Sequence, residues 1–94
     1  MSGASLTLES RLDLTGAKAL SAAILEHRGK DLVIDAQAVN HLGAMALQVL
    51  RAAAQSWADS GHQFSFQNAS TDCADQLSLF GFSPDTVTRW EGDR

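Results

Sequence analysis

The segment Asp31-Leu32-Val33-Ile34-Asp35 constrains the fold more than any other part of the chain. Its three apolar residues are consecutive rather than alternating with polar ones, and a charged residue stands at each end. A short run of this kind is typical of a central strand that is covered on both faces. Such cover comes from helices packed on a sheet, so the segment predicts an α/β fold.

Further strands are indicated by alternating polar and apolar residues. Ser5–Glu9 and Gln63–Gln67 alternate in this way, which predicts half-buried strands. A turn near Ser10 would let Arg11-Leu12 complete a hairpin with the first strand, and Thr86–Trp90 is predicted as a last short strand. We therefore expect a mixed β-sheet of four to five strands.

Apolar residues recur at helical spacing in three segments, which predicts three helices. Thr15 and Ser70 are the predicted N-caps of the first and third helices, and Gly29 and Gly81 follow their ends. The longest helix is predicted from about Gly43 to Ser60, with an apolar stripe of Leu42, Ala46, Val49, Leu50, Ala53 and Trp57. The helices should pack mainly on one face of the sheet, in a single domain over residues 1–94.

Charge and composition argue against several classes of protein. The net charge is −4, and the seven Lys and Arg residues are scattered, whereas nucleic-acid binding needs clustered cations. No apolar run approaches the roughly 20 residues of a membrane span, and the start of the chain lacks the features of a signal peptide. We expect a cytoplasmic protein that binds no nucleic acid and does not insert directly into a membrane.

The residues that carry chemistry do not form a recognisable catalytic or metal-binding set. His27, His41 and His62 are separated by 14 and 21 residues, and this spacing argues against a metal site. Asp35 ends a strand, where a turn residue that accepts loop amides is favoured over a functional carboxylate. Cys73 lies on an apolar helical face, so a core thiol is favoured. We expect no enzyme, metal or cofactor, the alternative being an enzyme that uses His41 with Asp35.

The loop and start of the second helix are the most informative segment. Small residues there let another backbone approach, and the free amides of the first turn can donate hydrogen bonds to an acidic group of a partner. Met45 lies at the margin of the apolar stripe, with Gln48 and Arg51 on the far side. His41 is either a partner contact or simply solvated. The predicted partner-binding surface consists of Asn40, His41, Gly43, Ala44, Met45, Leu47, Gln48 and Arg51, unless Met45 and the small residues only complete the core.

Three local patterns, in their order and spacing, resemble the STAS domain, the family of anti-sigma-factor antagonists. They are Leu12-Asp13-Leu14-Thr15 before Gly16, Leu32-Val33-Ile34-Asp35 followed by Leu42-Gly43, and Leu77-Ser78-Leu79-Phe80-Gly81-Phe82. The resemblance covers nearly the whole chain. It implies the sheet and three helices expected above. It also implies that the domain functions by binding other proteins.

The resemblance also implies that a phosphorylation switch is missing. In the family, the second helix often begins with Asp-Ser-Ser-Gly or Asp-Ser-Thr-Gly, and the second hydroxyl residue is phosphorylated by a partner kinase. The aligned positions here are Gly43, Ala44, Met45 and Ala46, which places Met45 at the acceptor position. A thioether cannot accept a phosphoryl group, and methionine offers an adaptable apolar contact instead.

The partner expected from the resemblance is a signalling protein. Val39-x-His41-Leu42-Gly43 with Gln48-Val49-Leu50 looks like a stand-alone subgroup found beside chemotaxis kinases. This favours a histidine kinase, a phosphotransfer domain or an anti-sigma or switch kinase as partner of a monomer or weak dimer. The alternative is a small subunit of a lipid-transport ABC complex that binds its ATPase.

Overall fold

The computed structural model describes residues 3–90, which fold into five strands and three helices. In chain order these are β1 (Gly3–Thr7), β2 (Arg11–Leu12), α1 (Leu14–Leu25), β3 (Asp31–Asp35), β4 (His41–Leu42), α2 (Ala44–Ser60), β5 (Phe64–Gln67) and α3 (Thr71–Leu79). The α/β class, the number of helices and the position of the longest helix are confirmed.

The main sheet has three parallel strands in the order β1-β3-β5. The predicted central position of Asp31–Asp35 is therefore confirmed. Leu6, Ile34 and Phe66 stand in one row across the sheet, so their side chains share a face. On that face the side chains of Leu32 and Ile34 are buried, whereas Val33 on the other face is only half-buried. The core therefore lies on one face, and the expectation of full cover on both faces is wrong.

Strand β2 pairs in parallel with β4, with Leu12 opposite Leu42. The predicted hairpin between the first two strands is therefore wrong. The Ser10 carbonyl accepts hydrogen bonds from the amides of Asn40 at 2.7 Å and His41 at 3.1 Å, so the chain crosses to β4 instead of returning along β1. All pairings among the described strands are parallel, and a mixed sheet is not observed there.

The parallel β2–β4 pair places the starts of α1 and α2 beside each other. Helix α1 is capped by Asp13, whose Oδ1 accepts from the Gly16 amide at 3.0 Å, so the prediction of Thr15 as N-cap is wrong by two residues. The hydrogen bond from the Gly16 amide lowers the pKa of the Asp13 carboxyl by more than desolvation raises it, and the Arg11 charge lowers it further. The predicted Ser70 cap of α3 is confirmed, because its Oγ accepts from the Cys73 amide at 3.0 Å.

The residues after α3 form turns over 84–88, so the predicted last strand at Thr86–Trp90 is wrong. Ser83 and Thr86 bond each other reciprocally, the Ser83 amide donating to Thr86 Oγ1 at 2.8 Å and the Thr86 amide to Ser83 Oγ at 3.2 Å. Val87 is fully buried in the core. The C-terminal segment, defined here as residues 82–90, is thus part of the folded domain.

Candidate functional site

The start of α2 is exposed and carries no side-chain cap. Its N-cap is Gly43, which has no side chain to bond the first amides, and the first turn contains no acidic residue. Ala44 is exposed, and 48% of Met45 is accessible to solvent. The backbone amides of this turn, with the partial positive charge of the helix end, are therefore open to an acceptor from another molecule.

Close backbone packing favours a glycine at the N-cap. The Gly43 amide donates to the Leu12 carbonyl at 3.0 Å. A Cβ atom on Gly43 would lie only 3.0 Å from that same carbonyl oxygen. Gly43 thus allows the start of α2 to pack closely against the backbone of β2. The sequence predicted Gly43 as a partner-binding residue and did not predict this structural role.

The loop before α2 is held in place by hydrogen bonds from two sides. Ser10 accepts from the loop amides on one side, as described above. From α3, Ser70 Oγ donates to the Val39 carbonyl at 2.5 Å. Gln76 bonds both the Asn40 carbonyl and the Leu42 amide, each at 2.7 Å. The hydrogen bonds of Ser10 and Gln76 to this loop were not predicted from the sequence. Both residues are distant from the loop along the chain, Gln76 by about 35 positions, and no local pattern indicates such a pairing.

The eight residues of the predicted surface do not share one environment. Asn40, Ala44, Met45 and Gln48 are exposed, and His41 and Gly43 are half-buried. Leu47 is buried at 8% exposure, so a partner cannot contact it in this conformation, and its inclusion in the surface is corrected.

Arg51 is engaged within the molecule rather than free for a partner. Its Nη1 donates to the carbonyls of Thr86 at 3.3 Å, Val87 at 2.9 Å and Arg89 at 2.8 Å. The guanidinium carbon also lies 4.7 Å from the ring centre of Phe82 and 5.0 Å from that of Trp90. Arg51 therefore fastens the C-terminal segment to α2, and we remove it from the candidate surface.

An apolar groove runs between α1 and α2 next to this surface. Its volume is about 370 Å³, and no charged side chain is among the residues that line it. The lining residues include Ile24 and Leu25 of α1 and Met45, Val49 and Trp57 of α2. Met45 thus belongs both to the first turn of α2 and to the rim of the groove.

The other candidate residues have structural roles. Asp35 Oδ1 accepts from the Gln37 amide at 3.0 Å, which confirms its prediction as a turn residue. His62 Nδ1 lies 3.6 Å from Asp31 Oδ1. Cys73 is fully buried, as expected of a core thiol. Within residues 3–90, no three His, Cys, Asp or Glu side chains come together in a way that would hold a metal ion.

Comparison with known proteins identifies one family. Residues 1–87 match the family model described as "Mlab, STAS domain". No curated protein matches the chain. Among the helices of the described part, none is long and apolar enough to cross a membrane.

Proposed function

The chain belongs to the STAS domain family, and we propose that it regulates a protein partner by binding it through the start of α2. STAS domains generally act as protein-interaction or regulatory modules and are typically non-catalytic. The proposed surface consists of Asn40, His41, Gly43, Ala44, Met45 and Gln48, after the removal of Leu47 and Arg51.

The exposure of Met45 beside uncapped backbone amides is the observation that carries this proposal. A half-exposed methionine supplies an adaptable apolar contact, and the amides around it supply hydrogen-bond donors for an acidic group. No hydroxyl is present at this position to be phosphorylated. Binding is therefore constitutive, without the charge of about −2 that a phosphoryl group would place in the interface.

The partner we propose first is a signalling protein, either a histidine kinase, its phosphotransfer domain, or an anti-sigma or switch kinase. The motif around His41 and Gln48, which looks like that of the chemotaxis-associated subgroup, supports this choice. The second candidate is the ATPase of a lipid-transport ABC complex.

Affinity purification from the native cells, comparing Met45→Asp with Leu79→Asp, tests the proposal. Both changes replace an exposed apolar side chain with a carboxylate, and Leu79 is 85% exposed at the end of α3. An acidic residue in the first turn of α2 is favourable for the helix. Loss of binding in Met45→Asp is attributed to the surface only if the urea denaturation midpoint of the variant stays near that of the wild type. We expect wild type and Leu79→Asp to retain the partner and Met45→Asp to lose it, by tenfold or more in affinity (about 1.4 kcal/mol).

The identity of the retained protein then separates the two partner classes. A kinase or phosphotransfer protein supports the signalling function, and an ABC ATPase supports the transport function. If Met45→Asp retains the partner as well as Leu79→Asp does, the proposed surface is wrong.

A further inference from the structure

We infer that Gln76 is the positioning residue that holds the loop before α2 in its binding conformation, an inference that rests on the proposed function. Gln76 lies on α3 and does not belong to the proposed surface. It acts through the loop residues 40–42, which lead directly into the N-cap of α2.

Both ends of the Gln76 side-chain amide bond to the loop. Its Oε1 accepts from the Leu42 amide at 2.7 Å, and its Nε2 donates to the Asn40 carbonyl at 2.7 Å. In a parallel sheet, one residue accepts from the amide after its opposite neighbour and donates to the carbonyl before it. Gln76 makes this same pair of bonds on either side of His41. Its side-chain amide therefore takes the place of one residue of a parallel strand along the edge of β4 that faces away from β2.

Helix α3 is itself anchored firmly enough to serve as a support. Cys73 and Leu77, which flank Gln76 on the helix, are fully buried. The N-cap Ser70 reaches the same loop through its bond to the Val39 carbonyl. Three polar groups of the backbone between Val39 and Leu42 are thus bonded to α3 and its N-cap.

Holding the loop matters because Gly43 follows Leu42 directly. If Leu42 shifts, the contact of Gly43 with the Leu12 carbonyl and the direction of the first turn of α2 shift with it. A loop that is already ordered loses less conformational entropy on binding, and affinity rises accordingly. Removing both bonds of Gln76 is therefore expected to weaken partner binding about tenfold without any change to the surface residues.

Amide hydrogen exchange of the free protein, measured by NMR, tests the positioning role independently of any partner. Gln76→Met removes both bonds, and Gln76→Glu keeps the oxygen that accepts from the Leu42 amide. We expect Leu42 exchange to accelerate about tenfold in Gln76→Met and less in Gln76→Glu, which keeps one bond but places a carboxylate oxygen against the Asn40 carbonyl. The Leu32 amide, bonded to the Gln63 carbonyl at 2.9 Å, reports any general loss of stability. Gln55→Met, which replaces an exposed glutamine of α2, is the matched control.

Equal acceleration at Leu42 and Leu32 in Gln76→Met would reduce Gln76 to a general stabilising residue and overturn the inference. So would an unchanged rate of Leu42 exchange in Gln76→Met. The binding arm uses the protein that co-purifies with the tagged wild-type chain. Weaker binding in Gln76→Met but not in Gln55→Met supports the inference. If the Gln76 variants bind normally while Met45→Asp does not, the proposed function stands and the positioning role fails.

Discussion

At the scale of single residues, the environment of Cys73 makes a prediction about its reactivity. The thiol is fully buried, and burial raises its pKa to about 11. At about pH 8 the native thiolate fraction is therefore on the order of 0.001, whereas an unfolded cysteine with a pKa of about 8.5 is substantially ionised. We expect a disulfide reagent such as DTNB to label the native protein at least about 100-fold more slowly than the unfolded protein.

Labelling in concentrated guanidinium chloride is the internal control for this measurement, because Cys73 is the single cysteine of the chain. Native labelling should accelerate about tenfold for each unit of pH, because the thiolate fraction rises in that proportion as long as the pH is below the raised pKa of about 11. Rapid labelling near neutral pH under native conditions would contradict the buried position of Cys73.

The sequence predicted the exposure of Met45 but not the burial of Leu47 or the engagement of Arg51. The periodicity of the sequence predicts that the buried residues of α2 lie on one narrow face of the helix. Leu47, Arg51 and Ala54 stand at positions i, i+4 and i+7, which share one side of a helix. On that side the C-terminal segment contacts Arg51, while α1 packs on another. The buried arc of α2 is therefore wider than local periodicity indicates, because a segment more than 30 residues away contributes to it.

At the scale of elements, longer segments were more predictable than short ones. The 17 residues of α2 and the apolar run of β3 carry several agreeing signals each. Strand β2 has two residues, and such a pair contains no information about which strand it will join. Its partner β4 is set by the carbonyls of Ser10 and Leu12, which bond the amides of residues 40, 41 and 43. The juxtaposition of the two helix starts, and with it the setting of the candidate site, follows from this non-local pairing.

The packing of α1 against β2 predicts that Gly16→Ala destabilises the protein. Helix propensity alone favours alanine over glycine by about 1 kcal/mol. A Cβ at this position would lie 2.8 Å from the backbone carbonyl oxygen of Arg11, which cannot move as a side chain would. We expect a net loss of about 1–3 kcal/mol in the free energy of unfolding, measured by urea denaturation.

Gly3→Ala is the matched control for this substitution, because nothing lies within 4 Å of a Cβ added there. It should change the free energy of unfolding by less than about 0.5 kcal/mol. A gain in stability in Gly16→Ala would show that propensity outweighs the contact and that β2 and α1 are less closely packed than described.

At the scale of the whole molecule, the C-terminal segment joins elements that are distant in sequence. It follows α3, buries Val87 in the core and is fastened to α2 by Arg51. The sequence predicted a strand here from the alternation at Thr86–Trp90, but nothing in that pattern reveals an arginine 35 residues earlier that takes up the segment's carbonyls. The carbonyls of this segment are hydrogen-bonded by the distant Arg51 instead of by a neighbouring strand, which is why the segment forms turns and not a strand.

Arg51→Met tests whether this fastening stabilises the entire domain. Methionine keeps an apolar stem of similar reach but removes all three hydrogen bonds to the segment and the contacts of the guanidinium with Phe82 and Trp90. Hydrogen bonds from a charged group and cation–π contacts at a partly exposed site together predict a loss of about 2–3 kcal/mol. The midpoint of urea denaturation should fall with an unchanged slope, because the native state remains equally compact.

Two further substitutions show whether the stability lost in Arg51→Met comes from the contacts of the guanidinium group. Arg51→Lys keeps the charge but not the planar guanidinium that lies over the rings of Phe82 and Trp90, so its stability should lie between that of the wild type and that of Arg51→Met. Arg28→Met removes an exposed arginine from the turn after α1 and should cost less than about 0.5 kcal/mol. If Arg51→Met costs no more than Arg28→Met, the domain is stable without the fastening. The carbonyls of the C-terminal segment would then be equally well satisfied by water, and Arg51 would become available to a partner as the sequence first indicated.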